Sequence, residues 1–115
     1  MYMELRIKKD TQNVYIIDLY GELDLYNSYK VKELFLKMVE RGINHIIFDL
    51  SQTDYIDSTG IGVFIYCFDV AKKQSIKMCL CNVFGTVLKV IQLTKLTDFF
   101  TMTDTLEDGL DLVRN

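Results

Sequence analysis

The chain has 115 residues, half of them apolar and a quarter charged, with a formal net charge of −3. That length suits one domain, expected to span residues 1–115, with a core that needs neither disulfides nor a metal. Acidic charge without a basic stripe excludes nucleic-acid binding through phosphate contacts as a leading reading.

The N-terminal MYMELRIKKD carries early charge and no apolar run, so it does not read as a signal peptide. Glu4 to Lys8 alternates and predicts a short strand with Leu5 and Ile7 on one face. Val14 to Tyr20 is β-branched and aromatic and predicts a second strand ending at Gly21. Val31, Leu34, Phe35, Met38 and Val39 recur at helical spacing, which predicts a helix over Asn27 to Arg41. Asn27 or Ser28 can cap its start, and Gly42 suits a left-handed stop. His45 to Leu50 reads as a strand buried on both faces, and polar Ser51 to Asp57 as a loop. Ser58 to Lys73 predicts a second helix and Ile76 to Cys81 a third buried strand. Phe84 to Leu93 predicts a third helix with Phe84, Val87, Leu88 and Ile91 inward. Phe99 to Met102 suits a short last strand, and Thr105 to Arg114 a last helix with Leu106, Leu110 and Val113 inward. This alternation predicts an α/β fold, a mixed and mostly parallel β-sheet with helices packed on it.

No stretch is long and apolar enough to predict a membrane span; the uncharged run from Ser58 to Phe68 is too short. Cys67, Cys79 and Cys81 are odd in number and lack metal spacing, which points to reduced thiols in a cytoplasm.

The segment Asp54-Tyr55-Ile56-Asp57-Ser58-Thr59-Gly60-Ile61-Gly62 opens the second helix. Ser58 is a good N-cap residue, Gly60 and Gly62 clear side chains from the first turn, and the helix dipole favours an anion there. The same residues also describe an ordinary capped helix. Ile61, Phe64, Ile65, Phe68 and Ala71 share one face and should meet the sheet. Val63, Tyr66 and Val70 form a second apolar strip, expected to face outward beside Ser58 as a protein-binding surface. Two rival chemistries are weaker. Asp49, Asp54 and Asp57 could hold magnesium as in a phosphoacceptor domain, but a matching acidic pair and lysine are missing. A serine hydrolase would need a base and an orienting acid, and the only histidine, His45, begins a buried strand.

Tyr55-Ile56-Asp57-Ser58-Thr59-Gly60-Ile61-Gly62 resembles the D-S-[ST]-G-[LI]-G signature of bacterial anti-sigma factor antagonists of the STAS domain family. Gly21-Glu22-Leu23-Asp24 resembles the G-E-[LI]-D segment those proteins carry after their second strand. The resemblance spans nearly the whole chain. It implies a mixed sheet with helices on one side and a non-enzymatic role in transcription regulation. It further implies binding to an anti-sigma factor serine kinase, which frees a sigma factor, and phosphorylation of Ser58, which switches that binding off. A Ser/Thr phosphatase would reverse the phosphorylation. Asp24 and Asp57 fall on the family's acidic positions, and Thr59, Gly60 and Gly62 complete the partner-binding set. No cofactor is implied; ATP and magnesium belong to the kinase. An alternative within the family is an interaction module of another signalling scaffold. One departure stands out: where many relatives place Gly after the third helix, this chain has Leu93-Thr94-Lys95-Leu96.

Overall fold

The computed structural model describes residues 2–114. In chain order the elements are β1 (Met3–Lys9), β2 (Tyr15–Leu23), α1 (Ser28–Glu40), β3 (His45–Asp49), β4 (Thr53–Ile56), α2 (Ser58–Lys73), β5 (Lys77–Cys81), α3 (Gly85–Leu93), β6 (Met102–Thr103) and α4 (Leu106–Arg114). The strands form one mixed sheet in the order β1-β2-β3-β5-β6. Only β1 runs antiparallel to its neighbour. Its hairpin with β2 is held by Asp10, whose Oδ1 accepts from the N–H of Gln12 and of Val14 at 2.9 and 2.8 Å. The mostly parallel α/β architecture expected from the alternation is the one that forms.

β2 is long enough to serve two partners in succession. Its first half pairs with β3 (Tyr15 to Asp18 against Ile46 to Asp49), and its last residues pair with β4. The register shifts between Gly21 and Glu22, where Gly21 has φ +93°. A Cβ there would lie 2.3 Å from the Tyr2 carbonyl oxygen, so the bulge requires glycine. This corrects the expectation that Ser51 to Asp57 is a loop. Thr53 is buried, and its hydroxyl donates to the Leu19 carbonyl at 2.8 Å, which pins the polar segment to β2 as a strand.

The sheet buries both faces. Ile17, Leu19, Ile46, Phe48 and Leu80 pack under α1, α2 and α3, with Phe64 of α2 edge-on to Phe48 at 5.3 Å between ring centroids. Val14, Ile16, Ile47, Cys79 and Cys81 lie on the other face under Leu106, Leu110 and Val113 of α4. The helices therefore occupy both sides of the sheet, not one. The apolar stripe of α4 has only that second face to cover.

Two further expectations are corrected. The last strand is Met102–Thr103, not Phe99 to Met102. Phe99 and Phe100 instead form a turn whose N–H groups both donate to the Leu96 carbonyl, and Phe100 drops into the core against Phe64 and Phe68. Phe84 is 60% exposed: it is the extended N-cap residue of α3, while Val87 and Ile91 carry the buried face.

Candidate functional site

β2 and β4 run parallel and end side by side, with Leu23 opposite Ile56. The Asp57 N–H donates to the Leu23 carbonyl at 3.1 Å, which closes the pair just before α2 begins. Open parallel sheets place their functional loops at this carboxyl end.

Asp57, not Ser58, caps α2. Its Oδ1 accepts from the Gly60 N–H at 3.0 Å and its Oδ2 from the Leu25 N–H at 2.9 Å. One carboxylate thus ties the start of α2 to the loop after β2. At this position the charged acceptor also meets the positive end of the helix dipole. Ser58 becomes the first helical residue. It is exposed, and its hydroxyl has no hydrogen-bond partner among the described residues. Thr59 is half-buried beside it.

The two glycines differ. A Cβ on Gly60 would sit 2.8 Å from Ile56 Cγ1, 2.9 Å from Leu23 Cγ and 3.0 Å from the Leu23 carbonyl oxygen. Gly60 lets α2 descend onto the ends of β2 and β4. A Cβ on Gly62 would meet nothing within 4 Å. Packing within the chain therefore does not require a glycine at this position.

Asp24 lies beside this turn but not on its surface. It is 3% exposed, and its Oδ1 accepts from the N–H groups of Tyr26 and Asn27 at 2.9 and 3.2 Å. Asn27 answers by accepting from the Asp24 N–H and donating to the Glu22 carbonyl at 2.7 Å. Asn27 therefore stabilises the β2–α1 loop, although its side chain makes no cap bond to α1. Asp24 Oδ2 is buried without a partner among the described residues. Its Oδ1 bonds hold the β2–α1 loop beside the start of α2.

The strip of Val63, Tyr66 and Val70 is not the outward face expected of it. Val63 is 9% exposed and belongs to the core, and Val70 is half-buried against it. Tyr66 is half-buried with Lys32 of α1 over its ring, 4.3 Å from the centroid. α1 packs beside α2 and meets this strip at Tyr66. Exposed apolar side chains stand instead on the β2–α1 loop and the start of α1: Leu25, Tyr26 and Tyr29 are 62%, 78% and 53% exposed. Leu25 and Tyr26 lie in the loop that Asp57 anchors, and Tyr29 follows it. The sequence signal for them is a leucine and a tyrosine inside a turn, where neither helix nor strand periodicity calls for apolar residues.

The carboxylates of the magnesium reading do not converge. Asp49 Oδ1 accepts from the Ser51 N–H and the Asn82 side chain, Asp57 caps α2, and Asp54 is exposed. Among the described residues no three His, Cys, Asp or Glu side chains form a group that could hold a metal ion. None of the described helices is long and apolar enough to cross a membrane.

The sequence and the fold have counterparts in known proteins. The chain is 34% identical over 100 residues to an anti-sigma-B factor antagonist of Listeria monocytogenes, covering 85% of this chain and 86% of the relative. It is 29% identical over 102 residues to the anti-sigma-B factor antagonist of Bacillus subtilis, covering 89% and 93%. A crystal structure of a candidate anti-sigma factor antagonist from Thermotoga maritima superposes with a TM-score of 0.89 at 25% identity, covering 96% of this chain and 95% of that one. The STAS domain profile matches residues 4–109, and with that match the chain belongs to the STAS domain family.

Proposed function

We propose that the protein is an anti-sigma factor antagonist: it binds an anti-sigma factor that is also a serine kinase, thereby frees a sigma factor, and is switched off by phosphorylation of Ser58. The observation that carries this reading is the division of labour at the start of α2. Asp57 does the capping, which leaves the Ser58 hydroxyl exposed and unengaged on the first turn of a helix. The names of the Listeria and Bacillus relatives support the class of partner. A Ser/Thr phosphatase resets the switch. The role is regulatory binding in the cytoplasm, with no catalysis by this chain.

A phosphate on Ser58 adds roughly −1.5 to −2 charge. The helix dipole and free N–H groups of the first turn accommodate that charge locally, so the fold persists. The effect falls on the partner. A charge about 5 Å from a partner carboxylate at an effective dielectric near 20 is repelled by about 3 kcal/mol. That is on the order of a hundredfold in affinity. Affinity itself comes from Leu25, Tyr26 and Tyr29 with the open surface at Gly62, and Tyr66 and Val70 lie at the margin. Calorimetry with the anti-sigma factor encoded in the same genome tests this, before and after enzymatic phosphorylation. The reading requires a loss of about a hundredfold and native circular dichroism in both states. Equal affinities would refute it.

A further inference from the structure

The opposite end of α1 carries a second feature, independent of the Ser58 site. Between the edge strand β1 and the last turns of α1 lies a half-open groove of about 340 Å³. Its lining is almost wholly apolar: Ile7 from β1, Leu34 and Met38 from α1, Ile43 after α1, and the side of Tyr15. Ile7 is 49% exposed although its neighbours are packed against the core, so the groove is uncovered. Two exposed cations, Lys37 and Arg41, stand at its rim. Neither belongs to an ion pair among the described residues, although Glu33 and Glu40 lie on the same helix.

We infer that this groove binds a linear alkyl carboxylate, its chain along Ile7, Leu34 and Ile43 and its carboxylate between Lys37 and Arg41. The almost wholly apolar lining suits an alkyl chain. The volume falls at the lower end of small-ligand sites, which run from about 300 to 1,000 Å³. The sign of the head group follows from the rim. The C-terminal end of α1 is itself negative. The carboxylate is therefore held by the two side chains alone, and recognition depends on both.

Methyl NMR of the full chain tests the assignment, with decanoate, decanol and decyltrimethylammonium titrated below their micellar concentrations. Saturable shifts at Ile7, Leu34 and Ile43, tightest for decanoate, are expected. The exposed double substitution Lys37→Gln/Arg41→Gln should weaken decanoate about tenfold and leave decanol unchanged. Leu34→Trp should fill the groove and block both, with circular dichroism confirming the fold of each variant. Shifts outside the groove, tighter binding of the cationic amphiphile, or a double variant that holds decanoate as well as the parent would overturn the proposal.

Discussion

Gly60 and Gly62 are two residues apart on one helix turn, yet their Cβ positions point to opposite outcomes. At Gly60 the added atom meets Ile56, Leu23 and the Leu23 backbone oxygen within 3.0 Å. Gly60→Ala should cost about 1–3 kcal/mol, because backbone cannot yield as a side chain can. At Gly62 the space is open, and Gly62→Ala should stabilise α2 by about 0.5–1 kcal/mol. The same substitution should weaken partner binding, if external approach is what the glycine serves. Urea denaturation of both variants, alongside calorimetry with the anti-sigma factor, separates the two roles. A Gly62→Ala protein that is more stable and binds fully would leave that glycine without a purpose.

At the level of elements, much was legible from periodicity and the rest failed for identifiable reasons. The α1 pattern and the Gly42 stop hold: Gly42 has φ +77°, and the Ile43 N–H returns to the Met38 carbonyl. β4 was illegible because its pairing depends on a bulge at Gly21, more than thirty residues earlier in the chain, and on one hydroxyl, not on an apolar run. The strip on α2 is less open than expected because helical spacing separates faces but does not say which neighbours meet them; here Val63 joins the core and Lys32 of α1 lies over Tyr66. The departure at Lys95 resolves as a helix stop without its glycine. Lys95 sits at φ +60°, and the Leu96 N–H still bonds the Ile91 carbonyl. Lys95→Gly should therefore raise stability by up to about 1 kcal/mol, readable as a higher denaturation midpoint. α4 is fastened at its end by the ion pair of Arg114 with Asp10. The Val14 N–H, with Arg114 and Gln12 adding, holds the Asp10 carboxyl below the usual carboxylate range. A depressed folded value stabilises the protein above the unfolded value, near pH 4, and that contribution is lost as pH falls through the folded value. Acidification below about pH 4 should lower the Tm of the parent more than that of Asp10→Ala. Parallel Tm curves for the two would remove Asp10 from the account.

Across the whole molecule, burial separates an inert interior from one reactive end. Cys67, Cys79 and Cys81 are free and buried. Burial pushes the Cys67 thiol up to about 12 and the Cys79 thiol up to about 11, and raises Cys81 as well. The native protein should resist iodoacetamide at pH 8 and alkylate at all three positions once unfolded. Rapid native labelling would mean that α4 or α2 opens readily. The proposed switch lies where β2 and β4 end, at an exposed serine beside the aspartate that caps α2. The most direct test is peptide-mapped mass spectrometry of the protein purified from its native cells, in growth and under stress. The account predicts a single phosphate on Ser58 whose occupancy changes with condition. Phosphate on Thr59 in place of Ser58, or none in any condition, would contradict it.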